Sequence, residues 1–175
     1  PTSTSEVGTS QRHDGKWNDT KYNLVMDANA VIENLVGNLK IEGLQIQNTK
    51  NDNVWTGTGI YGGDEYGDVS NVYISNNIVK RGATGATYAA GIYQGWSGNN
   101  IKIYNNIAYG EWSSGIMVED KDQNDSNVVY NNMVIGALGG YGSGWENVLF
   151  KNNIAQDCAN GFLDSGWITG SDYNL

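Results

Sequence analysis

Asn100-Ile-Lys-Ile-Tyr-Asn-Asn106-Ile is the stretch that decides the fold, because its frame returns along the chain. It recurs as Asn71-Val-Tyr-Ile-Ser-Asn-Asn77-Ile, Asn127-Val-Val-Tyr-Asn-Asn132-Met and Asn147-Val-Leu-Phe-Lys-Asn-Asn153-Ile. Asn38-Leu-Lys-Ile-Glu-Gly-Leu44 keeps the frame with Gly-Leu in place of the paired Asn, and Ser171-Asp-Tyr-Asn174-Leu reads as one more copy. The markers at 44, 77, 106, 132, 153 and 174 are separated by 33, 29, 26, 21 and 21 residues. A constant short strand at shrinking intervals is the pattern of a solenoid whose coils carry loops of different length.

Alternation inside the frame, at Leu39/Ile41, Val72/Ile74, Ile101/Ile103 and Val148/Phe150, turns one face of each strand inward. A second strand follows a Gly in each coil: Gly59-Ile60-Tyr61, Gly91-Ile92-Tyr93, Gly115-Ile116-Met117, Gly140-Tyr141-Gly142 and Gly161-Phe162-Leu163. Two strands per coil are therefore expected, with Ile41, Ile74, Ile103 and Phe150 stacked in one buried column and Ile60, Ile92, Ile116 and Phe162 in another. From marker to second strand the distance falls from 16 through 15 and 10 to 9 residues, so insertions gather on one side of the coil. Coils about 4.8 Å apart would let the inward amides of Asn77, Asn106, Asn132 and Asn153 bond one another while capping the bend. Asn at a bend also tolerates a left-handed backbone.

Residues 1–21 are polar, Ser/Thr-rich and without periodicity, and read as an N-terminal arm or loop. Tyr22–Asp27 and Val31–Val36 look like early strands. Residues 22–175 then form one domain of about six or seven coils, expected to be incomplete at its C-terminal end and open there to end-to-end self-association with another copy. The frame followed by Gly-Ile-x resembles the coil of the right-handed parallel β-helix proteins, the pectin-lyase-like superfamily. That resemblance covers roughly Tyr22 to Leu175. It implies an all-β right-handed parallel β-helix, and it is compatible with lyases, hydrolases, esterases, tailspikes and adhesins alike. The Asn-x-Asp, Asp-Asp, Gly-His-Gly and Arg-x-Lys set of the polygalacturonase-like members is not present as a set.

Charge narrows the choice of partner. A net charge of −9 with ten Lys+Arg argues against nucleic acid and anionic membranes, and it repels a polyanionic glycan unless a cation bridges it. No run of about 18 apolar residues suggests a membrane span or a retained signal peptide. Twenty-four Gly, eleven Tyr and six Trp with a single Pro is a composition common in extracellular carbohydrate-handling proteins.

The densest candidate for chemistry is Glu119-Asp-Lys-Asp-Gln-Asn-Asp125. Asp120, Asp122 and Asn124 present oxygens at alternate positions as a calcium loop does, without the Gly such loops use, and Lys121 is a weaker candidate base. Glu119, Asp120 and Asp164 are the acid/base candidates. Counted from the second strand, Gln94 and Asp164 lie two positions on, Glu119 three, and Trp96 and Asp120 four. In register they would form a polar row beside Trp96, Trp112, Trp145 and Trp167, whose indoles could stack on sugar rings. His13, the sole histidine, reads as a loop brace, Arg81 as part of an exposed Lys-Arg pair, and Cys158 as a buried structural thiol. The expected function is an extracellular or cell-surface module that binds or processes polysaccharide, with catalysis left open. The rival is a structural or adhesive surface rod.

Overall fold

The computed structural model describes residues 13–51, 57–63, 69–83, 88–95, 98–119, 126–144, 148–163, 171 and 175. Among them the strands form three sheets in which every neighbour is parallel. Sheet A stacks Leu24–Met26, Gln45–Asn48, Ile78–Arg81, Ile107–Tyr109, Met133–Ile135 and Ile154–Gln156. Sheet B stacks Ala30–Asn34, Thr58–Gly62, Ala90–Gln94, Ser114–Val118, Gly139–Ser143 and Asn160–Phe162, and sheet C stacks Leu39–Glu42, Val72–Ser75, Lys102–Tyr104, Asn127–Tyr130 and Val148–Lys151. The chain visits A, B and C in turn, so each coil is one pass round a parallel β-helix.

Both expected columns are present. On sheet C the register runs Ile41, Ile74, Ile103, Val129, Phe150, all buried. On sheet B it runs Ile32, Ile60, Ile92, Ile116, Tyr141, Phe162. Tyr141 stacks on Phe162 at 4.9 Å, meets Phe150 edge-on and donates its hydroxyl to Ile154 O at 3.0 Å. Burial drives its pKa well above the usual phenol value, which keeps it neutral in the core.

A third strand per coil corrects the two-strand expectation. Sheet A follows directly on the Asn pair, and its inward column is Ile46, Val79, Ala108, Val134, Ala155. Sheets A and B approach closely because the residue before inward Ile60, Ile92 and Ile116 is Gly. A Cβ on Gly59 would stand 2.3 Å from Val79 Cγ1, and one on Gly115 would stand 2.2 Å from Val134 Cγ1. Gly and the following Ile both face inward, so the residue after them is forced outward.

The paired Asn divide their labour. Asn76, Asn105, Asn131 and Asn152 take φ between 51 and 56°, and Gly43 substitutes at 73° in the first copy. Their partners form the ladder: Asn77 Nδ2 donates to Asn106 Oδ1 at 3.0 Å, Asn106 to Asn132 at 3.1 Å and Asn132 to Asn153 at 3.1 Å. Each Oδ1 also accepts the backbone N–H of the preceding marker, and Leu44 joins through its N–H to Asn77 Oδ1. Leu175 continues the row, its N–H donating to Asn153 O at 2.8 Å as that of Ile154 does to Asn132 O.

Residues 13–21 lie against the outer face of sheet A. Asn18 N–H donates to Gln45 Oε1, whose amide returns bonds to Asn18 O and Tyr22 O. Trp17 packs under the Lys80 ammonium at 5.0 Å. His13 Nε2 reaches Asn76 O at 2.7 Å, which is a bracing contact. Burial and then the charge of Asp19 push Tyr109 up to about 12. Cys158 is half-buried against the core.

Candidate functional site

Sheet B is the sheet with connections from A on one edge and to C on the other, and a cleft of about 680 Å³ lies along its outer face. That volume falls within the range of small-molecule sites. Its floor is made by two outward rows. Thr58, Ala90 and Ser114 form one; Tyr61, Tyr93 and Met117, each the residue after an inward Ile, form the other. Tyr61 and Tyr93 stack at 5.3 Å with ring planes 15° apart, two coils deep. Tyr88, Ser113 and Leu138 wall the edge towards sheet A, and Glu119 stands on the edge towards sheet C.

Glu119 Oε2 accepts the Tyr93 hydroxyl at 2.6 Å. A short bond to a carboxylate is strong and fixes both groups. Glu119 retains further lone pairs for a ligand hydroxyl. Ser113 Oγ donates to Ala89 O at 2.9 Å, which leaves its oxygen as an acceptor at the wall.

Behind the wall sits Arg81. The expected exposed Lys-Arg pair is half right: Lys80 faces outward with its ammonium over the Trp17 ring, but Arg81 is 5 % exposed. Its Nη1 donates to Gly57 O and its Nη2 to Lys50 O, both at 2.6 Å, and the guanidinium lies 5.4 Å from the Trp112 ring centre. Arg81 thus ties both ends of the connection before Thr58 to the residue that supports Ser113. Alternation explains the position, since Arg81 follows outward Lys80 and pairs in register with buried Asn48.

Of the residues the sequence singled out, Glu119 lines the cleft. Gln94 and Trp112 do not. Gln94 is an interior residue whose amide reaches Asn34 Oδ1 at 3.0 Å across Gly62, where a Cβ would lie 1.9 Å from Gln94 Nε2. Trp112 is 1 % exposed and presents no ring face to a sugar; its Nε1 donates to Tyr109 O. Asp120, Lys121, Asp122, Asn124, Trp96, Trp145, Asp164 and Trp167 lie outside the described residues. Among the described residues no cluster of three metal-ligating side chains occurs. Tyr61, Tyr93 and Met117 were missed, although the Gly-Ile-x repeat carried the signal: x is the outward position.

In comparisons with known proteins the chain matches no family model, no curated protein and no solved structure.

Proposed function

We propose that this chain is an extracellular or cell-surface polysaccharide-binding β-helix module of the pectin-lyase-like kind, with the outer face of sheet B as its ligand surface. The observation that carries the reading is the stacked Tyr61–Tyr93 pair beside Glu119 in a cleft of about 680 Å³. Aromatic side chains supply apolar contact for the C–H face of a sugar, and a carboxylate takes its hydroxyls. A net charge of −9 favours a neutral glycan. Hydrolysis of a glycosidic bond ordinarily employs two carboxyl groups. Glu119 is the one carboxylate among the described lining residues, so binding is the activity proposed.

A glycan array followed by calorimetric titration tests this reading. Tyr93→Ala and Glu119→Gln are expected each to weaken the best ligand about tenfold, from lost aromatic contact and a lost charge-assisted bond. Tyr104→Ala, on the outer face of sheet C, is expected to leave affinity unchanged. Equal affinity in all three variants would remove the cleft from the account.

Calcium belongs to the same proposal through Asp120, Asp122 and Asn124. A cation held by these residues in the folded protein raises the melting temperature, and Asp122→Asn abolishes the rise. Scanning fluorimetry with calcium and with a chelator measures it; identical curves would return the segment to a solvated acidic turn.

A further inference from the structure

From the walls of the same cleft we infer that its ligand carries acetyl groups: a neutral glycan with N-acetyl or O-acetyl substituents in place of some free hydroxyls. This rests on the glycan-binding reading and narrows it. A bare hexose polymer offers a C–H face and a rim of hydroxyls, so a site for it needs flat rings and polar neighbours. Here the described lining adds two large apolar side chains that carry no ring. Leu138 is 59 % exposed on the edge towards sheet A, and Met117 continues the tyrosine row one coil beyond Tyr93. Neither side chain has a ring face to stack on a sugar, and neither donates or accepts a useful hydrogen bond.

Leu138 is also not required by the core at that point. Its backbone is fixed by Leu138 N–H donating to Trp112 O at 2.8 Å and by Leu138 O accepting from Asn160 N–H at 2.9 Å, whatever the side chain. An exposed Leu on a rigid connection, facing a cleft whose opposite edge holds a carboxylate, suits a substituent with a methyl at one end and an amide or ester at the other. Methyls of such substituents lie against Leu138 at the wall or Met117 on the floor. Polar atoms of the substituent and ring meet Ser113, Ser114, Thr58 and Glu119, which line the cleft with them. Met adapts its shape to such a group at little cost.

Two oligomer series that share a backbone and linkage and differ at one substituent test the inference: β-1,4-linked N-acetylglucosamine oligomers and β-1,4-linked glucose oligomers of equal length. Titration calorimetry is expected to show tighter binding of the acetylated series, by about fourfold for each methyl that leaves water. Leu138→Ser, with an unchanged melting temperature, is expected to erase most of that difference by weakening the acetylated series more than the glucose series. Equal affinity for the two series, or a preference for the unacetylated one, overturns the acetyl inference and leaves the glycan-binding reading standing. Binding of neither series, nor of an O-acetylated glycan, overturns the acetyl inference, and with no ligand on the glycan array it overturns the glycan-binding reading as well. An acetyl preference that Leu138→Ser and Met117→Ser leave intact also overturns the inference, because the apolar wall would then not be its source.

Discussion

Asn106→Leu is expected to destabilise the protein by about 4 kcal/mol, because the side chain is shared by three coils and its loss leaves several buried groups without partners. Asn106 Oδ1 accepts both the backbone and the side-chain N–H of Asn77, while its Nδ2 donates to Ile74 O, Tyr104 O and Asn132 Oδ1. Leucine fills a similar volume but satisfies none of these, and an orphaned buried donor or acceptor costs about 1–3 kcal/mol. Lys102→Gln, on the outer face of the same coil, removes a cation–π contact at 5.4 Å and is expected to cost about 1 kcal/mol or less. Urea denaturation of the two variants decides the matter. Coincident midpoints would mean that the amide row contributes nothing the backbone does not already supply.

The second large effect is expected from a single methyl group. Gly115→Ala places a Cβ 2.2 Å and 2.6 Å from the two methyls of Val134 and 2.8 Å from Gly140 O, so either sheet A or sheet B must move. Overpacking of this kind costs about 3 kcal/mol. Gly142→Ala supplies the control within the same sheet, since its added carbon would meet nothing closer than 3.6 Å. The pair separates the close approach of two sheets from any general dislike of alanine in strands. Similar melting temperatures for the two variants would place the sheets farther apart than described.

How far these features could be read beforehand follows from parity. Ile41, Ile74, Ile103 and Phe150 stand at alternate positions in strands bounded by Asn, so their burial was legible. The strand after each Asn pair was not, because Ile78-Val79 and Ile107-Ala108 put apolar residues on both faces and blur the alternation. Ile78 faces outward and is nonetheless buried, while Val79 belongs to the core column. Gln94 was misplaced by counting distance from Ile92 without its face: two positions on from an inward residue is inward again. Tyr93, one position on, was the outward residue and lines the cleft. Trp112 had no such signal. It lies in a short connection between sheets, and only the buried guanidinium of Arg81 explains why an indole turns under that connection instead of out of it.

The same parity underlies the account of the cleft. Gly and Ile both face inward in Thr58–Gly62, Ala90–Gln94 and Ser114–Val118, and this double inward step brings Thr58, Ala90 and Ser114 onto the outer face together with Tyr61, Tyr93 and Met117. The close packing of the two sheets and the floor of the cleft therefore share one cause. A side chain on Gly59 or Gly115 would part the sheets and disturb the floor above them.

Tyrosine-selective isotope labelling with NMR titration of the best-binding oligosaccharide is the most direct test of the claim that sheet B is the ligand surface. The stacked pair Tyr61–Tyr93 and the wall residue Tyr88 serve as reporters on sheet B, with the stacked pair Tyr104–Tyr130 on sheet C, 5.0 Å between centroids, as the internal reference. The account predicts saturable shifts at Tyr61, Tyr88 and Tyr93 with none at Tyr104 and Tyr130. Shifts confined to Tyr104 and Tyr130, or binding that moves none of the sheet B tyrosines, would contradict it.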